Sequence, residues 1–399
     1  PLEIAAPPFS TRPRTNQPPH WTKPSLVAQL KFTEWTDDGL LRHPIYLGMR
    51  DDVKPDTVRR ERKSRKSPKS LGSRTSPESR TSPPRSADDL QSVVDQLDAI
   101  EQGPNAGTLK LPDGLTLEVS NLRKMFWPKL KITKGDLLRY YVRVAPYILP
   151  VVDGRPLIMK RFPNGIDGEP FYQHRAPDKV PPAVRTAKVP GDSVVSRPIG
   201  GNLITLLYMT QLAAISQDPW FSRIESPHMA DQCAIDLDPM PGVKFAAVLE
   251  VARWVRDELD KLKVTGYPKT SGASGLHIFI PLRPPTPYDA GQIFSQIVAT
   301  VVAEKHPKVA TVVRAVRARG QKVYVDYLQN IEGKSLACAY SARASEFAGA
   351  STPLTWKEID DGVDTRDFTI RTLPDRLASV GDLWAPMQST GVDLRKILK

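Results

Sequence analysis

Cysteine is nearly absent: Cys233 and Cys338 are the only two among 399 residues. That count excludes a disulfide framework and any zinc-ribbon spacing, and it predicts two buried, reduced thiols of a cytoplasmic protein. Apolar runs of membrane-spanning length are missing too, and Pro1-Leu2-Glu3 has none of the features of a signal peptide. The same start lacks an initiator methionine, which suggests a piece of a longer chain. Negative charge is in deficit, with 44 Asp and Glu against 56 Lys and Arg, a formal charge of +12. Such a balance favours a polyanionic partner.

What is plentiful is proline, at 39 residues, alongside a 40% apolar content that is ample for a globular core. The excess charge is unevenly placed. From Arg59 to Arg85 ten Lys and Arg stand against two Glu, and Ser64-Arg65-Lys66-Ser67-Pro68-Lys69-Ser70 leaves almost nothing apolar to bury. We expect a self-repelling, disordered linker there, either simply solvated or in nonspecific contact with DNA. The chain thus divides into residues 1–58, a linker over 59–108 holding a short helix near Asp88 to Glu101, and a main domain over 109–399.

In the first segment Leu26 to Trp35 and Leu40 to Met49 read as strands around the turn residues Thr36-Asp37-Asp38-Gly39. In the main domain Thr133 is a candidate N-cap with Asp136 three residues on, followed by an amphipathic helix from Leu137 to Val144. Pro156 to Phe162 and Phe171 to His174 read as strands, and Leu203 to Ser216 as a mostly apolar helix. Val243 to Lys263 is the clearest helix, with Val248, Val251, Val255, Leu259 and Leu262 at steps of three and four. Another is expected from Ala290 to Lys305. Strands and helices mix without strict alternation, which argues for an α+β fold.

The chemistry concentrates in Ala234-Ile235-Asp236-Leu237-Asp238-Pro239. Two aspartates at i and i+2 of a strand share one face, and their carboxylates repel unless a cation lies between them. Oxygen-only ligands of this kind suit Mg²⁺ or Mn²⁺ together with substrate phosphates. Downstream come the Gly-rich loop Thr270-Ser271-Gly272-Ala273-Ser274-Gly275-Leu276-His277 and a third aspartate in Lys322-Val323-Tyr324-Val325-Asp326-Tyr327. Together they make a candidate two-metal nucleotidyl-transfer site. The bland alternatives are a strand running into an Asp-Pro turn and a hydrogen-bonded histidine at a strand start.

Two resemblances follow from longer words. Phe32-Thr33-Glu34-Trp35-Thr36 and Gly39-Leu40-Leu41-Arg42-His43-Pro44-Ile45-Tyr46-Leu47-Gly48-Met49-Arg50 resemble the end of the OB-fold domain of bacterial ATP-dependent DNA ligases. Arg50 fits an arginine of that motif, but Val53 stands where a lysine is expected, with Lys54 one place late. The ligases' K-x-D-G lysine has no counterpart, since Ile359 and Glu358 precede Asp360-Asp361-Gly362. Ligation by this chain is therefore not expected.

Residues from about 115 to 385 resemble the polymerase domains of the bacterial LigD end-joining family, within the archaeo-eukaryotic primase superfamily. The words carrying this are Trp127-Pro128, Ile132-Thr133-Lys134-Gly135-Asp136, Lys160-Arg161-Phe162-Pro163-Asn164-Gly165, Asp218-Pro219-Trp220, Asp236-Leu237-Asp238-Pro239, Thr270-Ser271-Gly272, Gly275-Leu276-His277 and Val325-Asp326-Tyr327-Leu328-Gln329-Asn330. The resemblance implies two facing β-structures flanked by helices, with the site in the cleft between them. It implies template-directed nucleotide addition at DNA ends, with NTP or dNTP substrates and Mn²⁺ or Mg²⁺. The implied partners are DNA ends bearing a 5′-phosphate, a bacterial Ku homodimer and the rest of a ligase domain, in a nucleoid-associated setting.

By the same resemblance Asp236, Asp238 and Asp326 hold the metals. Ser271, Gly272 and His277 contact the nucleotide, with Lys160, Arg319, Gln329, Lys334 and Arg343 near nucleotide or template. Lys160 and Arg161 are adjacent on a strand, so only one enters the cleft, and the resemblance favours Lys160. Lys124 and Lys134 match a pair gripping a 5′-phosphate, assisted by a helix N-terminus. Phe171 and Tyr172 match aromatics near the template, of which alternation lets only one face DNA. Asp218 and Ser274 depart from the family, which often has histidine and lysine there. A DNA-end-binding module with a decayed site, or a two-metal nuclease, would share much of this sequence. The intact acids argue against the first, and the Ser271–His277 loop against the second.

Overall fold

The computed structural model describes residues 86–189 and 195–398, and before them residues 3–4, 20–23, 25, 27–31, 34–35, 41–42 and 45–50. The linker expected over residues 59–85, the turn at Thr36 to Gly39, and Val53 and Lys54 lie outside the described residues. Two compact units form, one of Pro1–Arg80 with Glu169–Phe171, the other of Thr81–Gly168 with Tyr172–Lys399.

In the smaller unit Val27–Lys31 pairs antiparallel with Ile45–Arg50, and Glu34–Trp35 with Leu41–Arg42. These four described strands lie within the two stretches, Leu26 to Trp35 and Leu40 to Met49, read as strands from the sequence.

The larger unit is built on a five-stranded sheet of order Tyr267–Thr270, Leu276–Pro287, Met229–Pro239, Val323–Asp326, Ala310–Thr311, antiparallel except for the last pair. Helices Phe245–Lys261 and Tyr288–Lys305 pack on it, and the 3.6-residue stripe of the first buries Val248, Val251, Val255 and Leu259. Leu262, expected on that stripe, stands at the C-cap and is 40% exposed. A three-stranded sheet of order Phe171–Gln173, Leu157–Arg161, Asp218–Pro219 forms the second β-structure. The α+β expectation therefore holds.

Helix Lys134–Val152 starts at the capping box read from the sequence: Thr133 N donates to Asp136 Oδ2 at 2.8 Å and Asp136 N to Thr133 Oγ1 at 3.1 Å. Helix Leu203–Gln211 ends sooner than its apolar run suggested. Ala213 takes a left-handed φ of 66°, and Ala213 N and Ala214 N close back on Thr210 O and Met209 O. This is a Schellman stop with alanine where glycine is usual, so nothing in the sequence marks it.

The domain boundary also moves. Helix Ala87–Gln102, placed in the linker by composition, buries Leu90, Val93, Val94 and Leu97 in the main core and packs on helix Lys134–Val152. A hairpin of Ala106–Lys110 and Thr116–Ser120 follows it. Among the described residues no helix is long and apolar enough to cross a membrane. Both cysteines are free and buried.

Candidate active site

Sheet register assembles the acids. Asp236 lies opposite Asp326 on the neighbouring strand and Asp238 opposite Tyr324, so the side chains share one face. One carboxylate oxygen from each of Asp236, Asp238 and Asp326 lies within 4.8 Å of the others. Asp236 and Asp326 are buried, whereas Asp238 is exposed. Asp326 is held from three sides: Tyr324 OH (3.3 Å) and Leu328 N (2.8 Å) donate to Oδ1, and Gln329 Nε2 (3.0 Å) to Oδ2. Gln329, expected on the nucleotide, thus orients the Asp326 carboxylate. Asn330 clamps the strand itself, with Oδ1 accepting from Ala234 N at 2.8 Å and Nδ2 donating to Ala234 O at 2.7 Å.

The acids strain one another. Burial, and then the neighbouring Asp238 and Asp326, push the Asp236 carboxyl well above its ordinary range. Desolvation and then Asp326 raise Asp238, with Arg319 and Arg343 opposing. Asp236 Oδ1 is buried, and among the described residues no hydrogen-bond donor is aligned on it. An orphaned carboxylate oxygen in a cluster of three fits hard divalent cations such as Mg²⁺ or Mn²⁺.

Beside the acids the Ser271 loop is tightly tied. Ser271 Oγ accepts from Ala273 N (3.1 Å) and Gly275 N (3.0 Å), and Ser271 N donates to Gly275 O (2.9 Å). Among the described residues the hydroxyl donates to none, which leaves its proton for a ligand. Two glycines are obligatory here. Gly272 has φ of 74°, and a Cβ on it would stand 2.5 Å from Arg343 Cγ. A Cβ on Gly275 would stand 2.5 Å from Leu237 O, so only glycine lets the loop lie against the strand that carries Asp236 and Asp238. His277 is buried with Nε2 3.3 Å from Asp236 Oδ1, and burial and then the Lys269 and Arg343 cations keep it neutral, well below its usual range.

The remaining candidates separate. Arg343 is half-buried, and its charge acts on Asp236, Asp238 and Asp218. Arg319 stacks on Tyr324 at 3.5 Å and donates to Val313 O and Arg314 O. Lys334 is exposed in the turn after Asn330, and no side-chain contact joins it to the acids among the described residues. Lys160 is half-buried with Nζ over the Phe162 and Tyr172 rings, while Arg161 is buried and donates to Leu212 O and Gln173 Oε1. Phe171 is buried, and Tyr172 is 57% exposed and stacked on His174. Asp218 hydrogen-bonds Ser216 Oγ, and burial raises its carboxyl against the pull of Arg343, that hydrogen bond and Lys160.

Lys124 and Lys134 are brought together by Lys134 N donating to Lys124 O at 2.8 Å. The expected help from the helix N-terminus fails, however. Besides Lys134 N, Gly135 N donates to Leu122 O and Asp136 N to Thr133 Oγ1, so the first-turn donors already have partners. Lys134 itself is 5% exposed with Nζ on Ser120 O, and Lys124 Nζ lies 3.3 Å from Asn164 Oδ1. Sequence reasoning missed Lys269, Tyr324 and the Asn330 clamp. Only Asn330 carried a signal, as the last residue of a family word.

Three carboxylates on paired strands, a tied Ser-Gly loop and a buried histidine form a candidate nucleotidyltransferase site of the primase-superfamily type. Residues 133–384 match the LigD primase-polymerase domain, and residues 1–53 match the C-terminal region of ATP-dependent DNA ligases. The chain therefore belongs to the LigD primase-polymerase family. It is 32% identical over 266 residues to the bifunctional non-homologous end joining protein LigD of Bacillus subtilis, covering 66% of this chain and 43% of that one. It is 26% identical over 397 residues to the multifunctional LigD of Pseudomonas aeruginosa, covering 98% of this chain and 44% of the relative. The chain spans less than half the length of these relatives. The polymerase domain of Mycobacterium tuberculosis Ligase D, solved in complex with DNA, superposes with a TM-score of 0.65 at 30% identity, over 69% of this chain and 99% of that one.

Proposed function

We propose that this chain adds nucleotides under template direction at DNA ends, filling gaps during bacterial end joining. The observation that carries the reading is the cross-strand trio Asp236, Asp238 and Asp326 beside the Ser271 loop. When bound, two divalent cations, Mg²⁺ or Mn²⁺, would activate the primer 3′-hydroxyl and neutralise charge on the triphosphate. Asp236, Asp238 and Asp326 would hold them, with Tyr324, Gln329 and the Leu328 amide fixing Asp326. The Ser271 hydroxyl and His277 would donate to triphosphate oxygens, with Gly272 admitting Arg343 against the loop. Arg343, Arg319 and Lys160 would supply positive charge, and Gln329 would act through Asp326. Lys334, exposed, would reach only nucleotide or template beyond the acids.

Tyr172 would stack on a template base, Phe171 supporting from the buried side. Lys124 and Lys134 would grip a 5′-phosphate as point charges, without helix-terminal N–H groups. A Ku homodimer and the remainder of a ligase domain would deliver the DNA ends, following the family resemblance and the ligase-like residues 1–53. The test is extension of a labelled primer on 5′-phosphorylated gapped DNA, comparing NTP with dNTP and Mg²⁺ with Mn²⁺. Incorporation is expected; shortening of the primer would indicate a nuclease, and binding without either a decayed site.

A further inference from the structure

We propose that a cavity at the far end of the central sheet from the acids binds a mononucleotide, a flat heterocycle carrying one phosphomonoester. The cavity arises where strand pairing breaks. Gln232 lies opposite Pro281 but Ala230 lies opposite Thr286, so residues 282–285 loop out of the strand Leu276–Pro287. Pro284 and Pro285 have no N–H to offer a neighbouring strand. The loop is tied instead to the segment from Trp384 to Val392, with Arg283 N donating to Val392 O at 3.0 Å and Val392 N to Pro281 O at 2.9 Å. Enclosed by the loop, that segment and Arg155 is a space of about 360 Å³.

Two buried polar side chains line this space without partners. Gln232 is 6% exposed and Trp384 3%, and among the described residues neither the carboxamide nor the indole N–H makes a hydrogen bond. Buried groups of both kinds are normally paired, so both point to a ligand. Charge points the same way. The lining sets Arg155, Arg223 and Arg283 against the one carboxylate of Asp231, a net of two positive charges. Arg155 is engaged by Asp231, Nη1 to Oδ1 at 2.6 Å and Nη2 to Oδ2 at 2.9 Å. Arg223 gives Nε to Asp231 and Nη1 to Asp153 O, and Arg283 gives Nε to Thr390 O and Nη2 to Gln388 O. Arg223 Nη2 and Arg283 Nη1 remain as free donors among the described residues. Leu282, Pro285 and Met387 add apolar wall.

This donor set selects the ligand. A phosphomonoester carries about two negative charges near neutral pH, which matches the lining, whereas a triphosphate exceeds it. Inorganic phosphate would leave the carboxamide and the indole unpaired. A base edge serves both, since its ring nitrogens accept from the indole and its mixed donors and acceptors suit a primary amide. The site is distinct from the acids. Gln232 shares their sheet face by alternation but stands about 13 Å along the strand from Asp236. Between them the Trp384 ring meets Phe279 edge-on at 5.5 Å, and Phe279 leans on His277 at 6.3 Å.

The test is ¹H–¹⁵N NMR of the full chain labelled at the tryptophan indoles, with Trp384→Phe to assign the resonance and AMP as the probe. Millimolar AMP is expected to move the Trp384 signal, with adenosine and inorganic phosphate each much weaker. Gln232→Leu should weaken AMP binding roughly tenfold, as for loss of a hydrogen-bonding partner in a buried site. Leucine breaks no hydrogen bond among the described residues, so Tm should not fall, which separates lost binding from lost folding. An indole signal unmoved by AMP would overturn the proposal, as would equal AMP affinity in the two proteins or a response to inorganic phosphate as large as that to AMP. Should Gln232→Leu not fold, the wild-type comparison of the three probes decides. A strand's 5′ end carries the same chemistry, so a 5′-phosphorylated trinucleotide is the further probe. Its shift of the Trp384 signal would make a strand end the ligand, and its silence a free mononucleotide.

Discussion

The substitution Asp236→Asn should stabilise the metal-free chain while destroying its response to metal. The carboxylate oxygens of Asp236, Asp238 and Asp326 lie within 4.8 Å of one another. At an effective dielectric near 20, two full charges at that separation repel by about 3.5 kcal/mol. Asp238 is open to solvent, which screens its share, so the buried pair of Asp236 and Asp326 dominates. Proton uptake relieves part of the repulsion, because the Asp236 carboxyl stands well above its ordinary value of 3.8. A carboxyl raised in this way contributes stability while it is protonated in both states, below the ordinary carboxylate range. That stability is lost as pH rises through the folded value.

The substituted carboxamide has no charge to lose, and its Oδ1 still faces the His277 Nε2 side. At pH 7.5 in EDTA we expect the variant to be more stable by about 2–3 kcal/mol, or roughly 4–6 °C in Tm. The gap should close as pH falls towards 4. Mn²⁺ should reverse the order, since the wild type would gain about 2.7 kcal/mol at a hundred times its Kd and the variant much less. The assay is thermal unfolding of both proteins across pH, with EDTA and with Mn²⁺. A wild type that is the more stable protein in EDTA at neutral pH would refute the repulsion argument. Equal Mn²⁺ shifts for the two proteins would refute the ligand assignment.

Asp238→Ala and Asp326→Ala should each abolish primer extension while leaving DNA binding nearly intact; near wild-type extension by either, measured on a labelled primer, removes that residue from the metal set. Lys124→Gln with Lys134→Met should make binding of gapped DNA indifferent to its 5′-phosphate, each lost charged contact costing roughly 1.5–3 kcal/mol before screening. Equal losses on phosphorylated and unphosphorylated DNA at one salt concentration would leave only general electrostatics. Supplied with ATP and nicked DNA, the chain should form no covalent AMP adduct and seal nothing, and any adduct seen on a denaturing gel would show an unrecognised nucleophile. Ser271→Ala should raise the nucleotide KM several-fold and also lower Tm, because the Ala273 and Gly275 amides lose their acceptor; an unchanged KM would take its hydroxyl off the triphosphate.

How much of this was legible depended on whether a residue's role was local. Asp236 and Asp238 announce a shared face by spacing alone, and the Thr133 cap declares itself within one helical turn. Asp326 needed a longer word, since its partner strand is distant along the chain. Lys269 was silent because a lysine in a strand normally reads as a solvated edge, and only tertiary packing shows it fully buried. Lys134 misled in the other direction. The sequence marks a helix N-terminus but cannot show that Lys124 O and Leu122 O already occupy its amides. Composition likewise assigned helix Ala87–Gln102 to a linker, because a charged flank hides an apolar stripe that finds its partner only in helix Lys134–Val152.

The Asn330 clamp has a consequence for how the site keeps its shape. Strand pairing runs from Pro239 opposite Val323 to Asp236 opposite Asp326, and continued in the same register it would bring Ala234 opposite Leu328. There the chain turns away, and Leu328 N donates to Asp326 instead. The carboxamide of Asn330 takes the empty place, meeting both the amide and the carbonyl of Ala234 as a strand would. A side chain thus imitates one residue of backbone, and the sheet ends without an open edge at its most charged point. Asp326 can stand at a strand terminus yet be as fixed as a mid-strand residue. The Ala234 amide proton is the natural reporter: its exchange with solvent would register any loosening of the carboxylate geometry before catalysis did.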